Sequence, residues 1–135
     1  MIVSLHVASG GAAGSLTGSR AAALLLGPPL HLVADRIPHQ DIADRRFEIA
    51  SGAICLGLLA ARRGPFDPAT LGAAGSSAPD LEHIIRWLRP RGKKLFHRRH
   101  GGRHFGGVPA SVQLLFAGVI LGFLLGPRST SSGKS

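Results

Sequence analysis

The sequence predicts an all-α domain, a compact bundle of about five helices with one or more of them membrane-associated. Three observations carry that expectation. Charged residues make up 17% of the chain and apolar residues 44%, against about 25% charged in ordinary soluble domains. Glycine supplies 19 residues, and small residues let helix backbones approach closely, as in membrane bundles. Tyrosine is absent and β-branched runs are scarce, which argues against a β-sandwich. A length of 135 residues is one core's worth of chain, read here as a single helical domain over 1–127 and a Ser-rich, disordered tail over 128–135.

The first segment, residues 5–26, is Gly- and Ala-rich and reads as one helix or two short ones. Gly10, Gly14 and Gly18 fall four apart and line one face. Pro28 and Pro29 cannot donate to Leu24 and Leu25, so a break, restart or sharp kink is expected there. The next helix should run to about Arg36, because Pro38 forces Ile37 out of the α region. No signal-peptide pattern opens the chain: the first basic residue is Arg20, and the apolar run behind it is cut by the proline pair.

Residues 42–63 are helical by length and composition, with an uncharged centre from Ile49 to Ala61 too short for a membrane span. Cys55 lies in that centre and reads as a small packed side chain; as the sole cysteine it permits no intrachain disulfide. Asp67 is placed to cap a helix whose first residue is Pro68. A second start signal sits at "SSAPDLEHI", with Asp80 and Glu82 in the first turn, where the helix dipole favours anions. Residues 108–126 then form an apolar run of about 28 Å as a helix, a candidate membrane helix on length. Gly118, Gly122 and Gly126 repeat the four-residue spacing.

The net charge of +9 is concentrated. Arg86, Arg89, Arg91, Lys93, Lys94, Arg98, Arg99 and Arg103 follow one another without an acid. Such a block suits a polyanion, a headgroup layer or bulk water. Beside an apolar run it reads as a positive-inside flank, placing residues 86–104 in the cytoplasm and against anionic lipid headgroups. Nucleic acid ranks below membrane lipids as a partner. Trp87, Phe96 and Phe105 accompany the charge, but no RNA-binding signature does.

The stretch "HLVADRIPHQD" carries the chemistry. His31 and Asp35 share a helix face at i and i+4, and the turn at Pro38 brings His39 and Asp41 back toward the helix end. Nitrogen and oxygen ligands together suit zinc, iron or manganese. Four of the seven acids, Asp35, Asp41, Asp80 and Glu82, lie within four residues of a histidine. The plainer reading of His31 and Asp35 is a surface hydrogen bond, and that of "PDLEHI" is capping beside a solvated His83. His97, His100 and His104 fit a basic loop equally well, and His6 reads by default as a satisfied core imidazole.

The early histidine in a Gly/Ala helix, "HLVADRIPH", the Gly-Ala-Ala-Gly run before "PDLEH", a His/Arg-rich loop and a last apolar helix occur in a meaningful order. Over most of residues 5–125 this order resembles small bacterial membrane-associated proteins described as metal-dependent hydrolases, distantly similar to zinc-dependent phospholipase C. The resemblance implies an all-helical fold at the bacterial inner membrane and a divalent metal, zinc first. It implies His6, His31, Asp35, His39 and Asp80 as ligands, with His100 a further one. The group often carries an H-R-G-x-T-H-S segment, where this chain has "HRRHGGRHFGG" without the Thr and Ser.

The function expected is hydrolysis of a phosphoester, lipid-type in particular. Asp41 or Glu82 would act as general base, and Arg36 or the Arg98/Arg99 pair would neutralise the phosphate. The alternative is a non-catalytic small membrane protein whose His, Asp and Arg residues pair structurally between helices. No nucleophile elbow or P-loop is present in the sequence, so covalent serine catalysis and nucleotide hydrolysis have no support.

Overall fold

Polar caps and prolines divide the chain into helices much as its composition implies. The computed structural model describes residues 1–89, Lys93 and residues 107–127. Five helices of ten or more residues form it: α1 (Val3–Thr17), α2 (Arg20–Ala34), α3 (Arg45–Arg63), α4 (Pro68–Ser77) and α6 (Ala110–Leu125). A single turn, α5 (Leu81–Ile84), and 3-10 turns at Ala78–Asp80 and Arg86–Leu88 complete the described elements. The all-α expectation holds. The tail 128–135 and the loop residues His97, Arg98, Arg99, His100 and His104 lie outside the described residues.

Local chemistry sets the boundaries. Gly18 adopts φ 64°, left-handed, and ends α1 as its C-cap instead of extending the glycine face. Ser19 caps α2, its Oγ accepting from the Ala22 N–H. Asp44 caps α3 through the N–H groups of Arg46 and Phe47, at 2.9 and 3.2 Å, so that helix starts at Arg45 and not at 42. Asp67 caps α4 with Pro68 behind it, as its sequence implies.

Pro28 and Pro29 do not break the chain: α2 continues through both to Ala34. Pro28 frees the Leu24 carbonyl, and that oxygen lies against Gly75 of α4, where an added Cβ would approach it to 2.4 Å. On the same face Gly27 meets the Gly75 backbone. The freed acceptor thus faces a Cα–H, a weak but recurrent partner at close helix crossings. Gly10 and Gly14 of α1 meet Gly72 of α4 in the same manner, with added Cβ atoms 2.3–2.5 Å from backbone oxygens. α4 is therefore held between α1 and α2 by backbone contact.

On the other side of α1, a small core joins Val7, Ala8, Leu59, Ala69, Ala73, Ala117, Leu121 and Leu124. Burying a leucine such as Leu59 contributes about 2 kcal/mol. Cys55 packs at the edge of this cluster, half-buried, and burial pushes its thiol pKa up.

The candidate membrane helix over 108–126 is α6, which Pro109 and Gly126 trim to 16 residues, about 24 Å. No helix among the described residues is long and apolar enough to cross a membrane. Gln113, Ala117, Leu121 and Leu124 form its buried stripe, while Leu115, Phe116, Val119 and Phe123 are exposed. Gly118 and Gly122 fall on the open side, where an added Cβ would meet nothing within 4 Å. They do not repeat the packing role of Gly10 and Gly14.

Helices α1, α3 and α6 all begin at one end of the bundle, and α2 and α4 finish there. Gln113 ties that end together: its Oε1 accepts from the Ile2 N–H at 3.1 Å. Its Nε2 donates to the carbonyls of Gln40 and Val108, at 2.8 and 3.0 Å. His39 and Val108 form an isolated parallel bridge beside it. At the opposite end Arg62 and Arg63 donate to the last carbonyls of α6, Leu125 and Leu124, where the dipole favours cations. Every acid except Asp67 lies in the segments that meet at the first end.

Candidate metal centre

His6 comes from the second turn of α1, His31 from the last turn of α2, Asp35 from its C-cap and Asp80 from the 3-10 turn after α4. Three segments of the chain thus deliver four side chains to one volume. His6 and His31 are fully buried and stack, ring centroids 3.8 Å apart. The Asp35 carboxylate divides between them, with Oδ1 3.0 Å from His6 Nε2 and Oδ2 3.1 Å from His31 Nε2. Asp80 Oδ1 approaches His31 Nε2 to 3.8 Å.

Tautomers follow from the outer partners. His31 Nδ1 donates to the Ser76 carbonyl at 2.8 Å, so its Nε2 lone pair faces two carboxylates. Nε2 in that position needs a proton or a cation in front of it. Backbone carbonyls holding the distal N–H are the usual outer shell of metal-ligating histidines. The His39 ring is held in the same way, its Nδ1 donating to the Ile37 carbonyl at 2.6 Å. Burial holds the His6 pKa at about 4 against the ordinary 6.5, with the Asp35 hydrogen bond opposing part of that shift. His6 is therefore neutral at pH 7, the state that ligates.

The spacing also fits an ion. Bonds of 2.0–2.1 Å in tetrahedral geometry put neighbouring ligand atoms about 3.3 Å apart. The distances between these side chains bracket that value, and one donor atom each from His6, His31 and Asp80 lie within 4.8 Å of one another. Asp35 lies against both imidazoles as well, at 3.0 and 3.1 Å.

His39 stands beside this group instead of inside it. Its Nε2 lies 3.2 Å from Asp41 Oδ1, which raises the imidazole pKa. The Met1 ammonium joins the two sets, 2.7 Å from Asp35 Oδ1 and also bonded to His39 Nε2. Beyond lies a cavity of about 570 Å³ between α1, α3 and residues 77–84. Asp35, His39, Asp41 and Asp80 open into it, and Val3, Val7, Ile49 and Leu56 supply apolar wall.

Among the expected catalytic residues, Asp41 is exposed and borders the cavity. Glu82 is 3% exposed and Arg36 is exposed on the outer surface; neither borders the cavity. His100, with Arg98 and Arg99, lies outside the described residues.

Three cavity residues lie outside the expected ligands and catalytic groups, His83 among them, which the sequence suggests is merely solvated beside a capping turn. Glu48 borders the cavity, accepts from the Val3 N–H, and has its pKa raised by burial and by neighbouring Asp41 and Asp80. Arg45 and His83 border it as well. The spacing of Glu48 and Arg45 suggests a routine helix ion pair, but Arg45 donates instead to the His83 carbonyl at 2.9 Å. Only the tertiary arrangement, with α1 beginning over the first turn of α3, singles these residues out. Compared with protein families, curated proteins and solved structures, the chain matches none.

Proposed function

We propose that this protein is a metal-dependent hydrolase of phosphoesters whose divalent ion, zinc first, is held by His6, His31, Asp35 and Asp80. The observation that carries the reading is His31: its Nδ1 is committed to a backbone carbonyl while its Nε2 faces Asp35 and Asp80. A divalent ion held there would supply a water of pKa about 7 and a Lewis acid for a phosphoryl oxygen. Asp41, paired with His39 and bordering the cavity, would accept the water's proton. The apolar walls suit a substrate with a hydrocarbon part, which favours lipid-type phosphoesters.

Association with anionic headgroups belongs to the same proposal. It rests on the basic residues of 86–104 and on exposed Trp87 and Ile84, of which Ile84 lines the cavity. Each basic residue at such a surface contributes about 1 kcal/mol.

A second reading has one observation in its favour. The Met1 ammonium pairs with Asp35, so the cluster holds a cation of its own and could be a structural ion-pair network. Zinc analysis and bis(p-nitrophenyl) phosphate turnover separate the two. The hydrolase reading expects about one zinc or more per chain and zinc-dependent turnover that His31→Ala and Asp35→Ala each reduce at least 100-fold. Turnover unchanged in both variants would remove this centre from any mechanism, and absence of zinc after supplementation would favour the structural network.

A further inference from the structure

Beyond the acidic end of the cavity, two guanidinium groups converge on one oxygen. Arg45 Nη2 donates to the His83 carbonyl at 2.9 Å, and Arg89 Nη2 donates to the same carbonyl at 3.1 Å. Arg89 also donates through Nε to the Glu82 carbonyl at 2.5 Å. Two full positive charges therefore share a neutral acceptor. Neither is among the ion pairs formed by the described residues.

Repulsion between like charges makes this placement unfavourable by itself. Arg45 adds a second cost, because it is the first residue of a 19-residue helix, where the dipole disfavours cations. Capping the α5 turn accounts for Arg89 but not for bringing Arg45 from another helix to the same atom. Each guanidinium carries five N–H donors in a planar fork, and the bonds to the Glu82 and His83 carbonyls use one of Arg45's and two of Arg89's. The remaining donors form a convergent, doubly positive set, and Arg45 borders the cavity that contains Asp35 and Asp80.

We infer that Arg45 and Arg89 form a clamp for a phosphoryl dianion at the mouth of this cavity. The clamp recognises two or three terminal oxygens of a phosphate group through fork-type, charge-assisted bonds. It deepens the hydrolase reading and rests on it only for the fate of the bound group: the clamp itself holds the anion at the mouth, and passage beyond the carboxylates of the inner cavity waits on a cation that neutralises them. The anion's source is either a soluble phosphoester or a lipid headgroup; the chemistry recognised is the same.

The test is calorimetric titration of the zinc-supplemented full chain with inorganic phosphate, for wild type and for Arg45→Gln and Arg89→Gln. The clamp expects each substitution to weaken phosphate binding at least tenfold while zinc stoichiometry stays that of wild type. Arg45→Lys and Arg89→Lys keep the charge without the fork, and the clamp expects intermediate loss; these variants also serve if a glutamine variant fails to fold. Phosphate affinity unchanged in the variants, or no phosphate binding by wild type, overturns the clamp. If no zinc is bound but the arginine variants still lose phosphate, the hydrolase reading fails and the clamp stands. Vesicles containing phosphatidic acid, compared with phosphatidylcholine alone, identify the source. Parallel loss of vesicle binding assigns the clamp to headgroups, and loss on free phosphate alone assigns it to soluble phosphoesters.

Discussion

His6 is a histidine whose burial leaves a measurable mark on stability. Its folded pKa of about 4 lies below the ordinary 6.5. Between those values the unfolded chain binds more protons than the folded one, so this contribution to stability falls as pH falls. In metal-free protein the loss attributable to His6 between pH 7 and pH 5 should be about 2 kcal/mol. His39 acts in the opposite sense: Asp41 raises its pKa, so its stabilisation is present in acid and lost as pH rises through the folded value. Urea unfolding of wild type and His6→Gln at both pH values isolates the first term. The difference between the two proteins should shrink toward acid, and a difference that stays constant with pH would mean His6 is not buried as a neutral ring. The sequence marks His6 as odd, an imidazole in an apolar start, but not as the stacking partner of His31. That pairing needs α1 and α2 to be adjacent, which no local pattern encodes. Gln113 is a similar case: within an apolar run it looks like a blemish, and only the three chain segments it bonds reveal its purpose.

At the level of helices, glycine has two opposite meanings here. Gly72 and Gly75 sit where an added Cβ would be 2.3 and 2.4 Å from a backbone oxygen. Gly72→Ala and Gly75→Ala should each destabilise the protein by about 1–3 kcal/mol through overpacking. Gly57, inside α3 with nothing within 4 Å of where a Cβ would stand, should behave in reverse, Gly57→Ala stabilising by up to about 1 kcal/mol. Denaturant midpoints of the three variants check the contrast. Composition announces helices packed through small residues, and Asp67–Pro68 announces the start of α4 correctly. Spacing alone cannot tell Gly10 and Gly14, which touch α4, from Gly118 and Gly122, which face outward. It also misleads at Pro28 and Pro29, since whether a freed carbonyl breaks a helix depends on what it meets, and here it meets Gly75.

For the molecule as a whole, the candidate centre joins segments far apart in sequence, so an ion bound there should stabilise the entire fold. Zinc at 100 times its dissociation constant would add about 2.7 kcal/mol. Thermal melts should move upward with zinc, return with a chelator, and show no zinc response in His31→Ala; a wild-type melt indifferent to both reagents would argue for the ion-pair network. The pairing of His31 with Asp35 is legible because four residues put them on one helix face; Asp80 joins them only through the packing of α2 on α4. Convergence of Arg45 with Arg89 is not legible, because each looks like one more cation in a basic chain. The backbone-to-backbone seams of α1 and α2 against α4 have a final consequence, for ionic size. Interfaces made of glycine have no rotamers with which to yield, so the gap between the rings and Asp80 has little room to widen. If an ion binds there, one with 2.0–2.1 Å bonds should be preferred to calcium, which at 2.3–2.6 Å and with more oxygen ligands would have to pry the seams open.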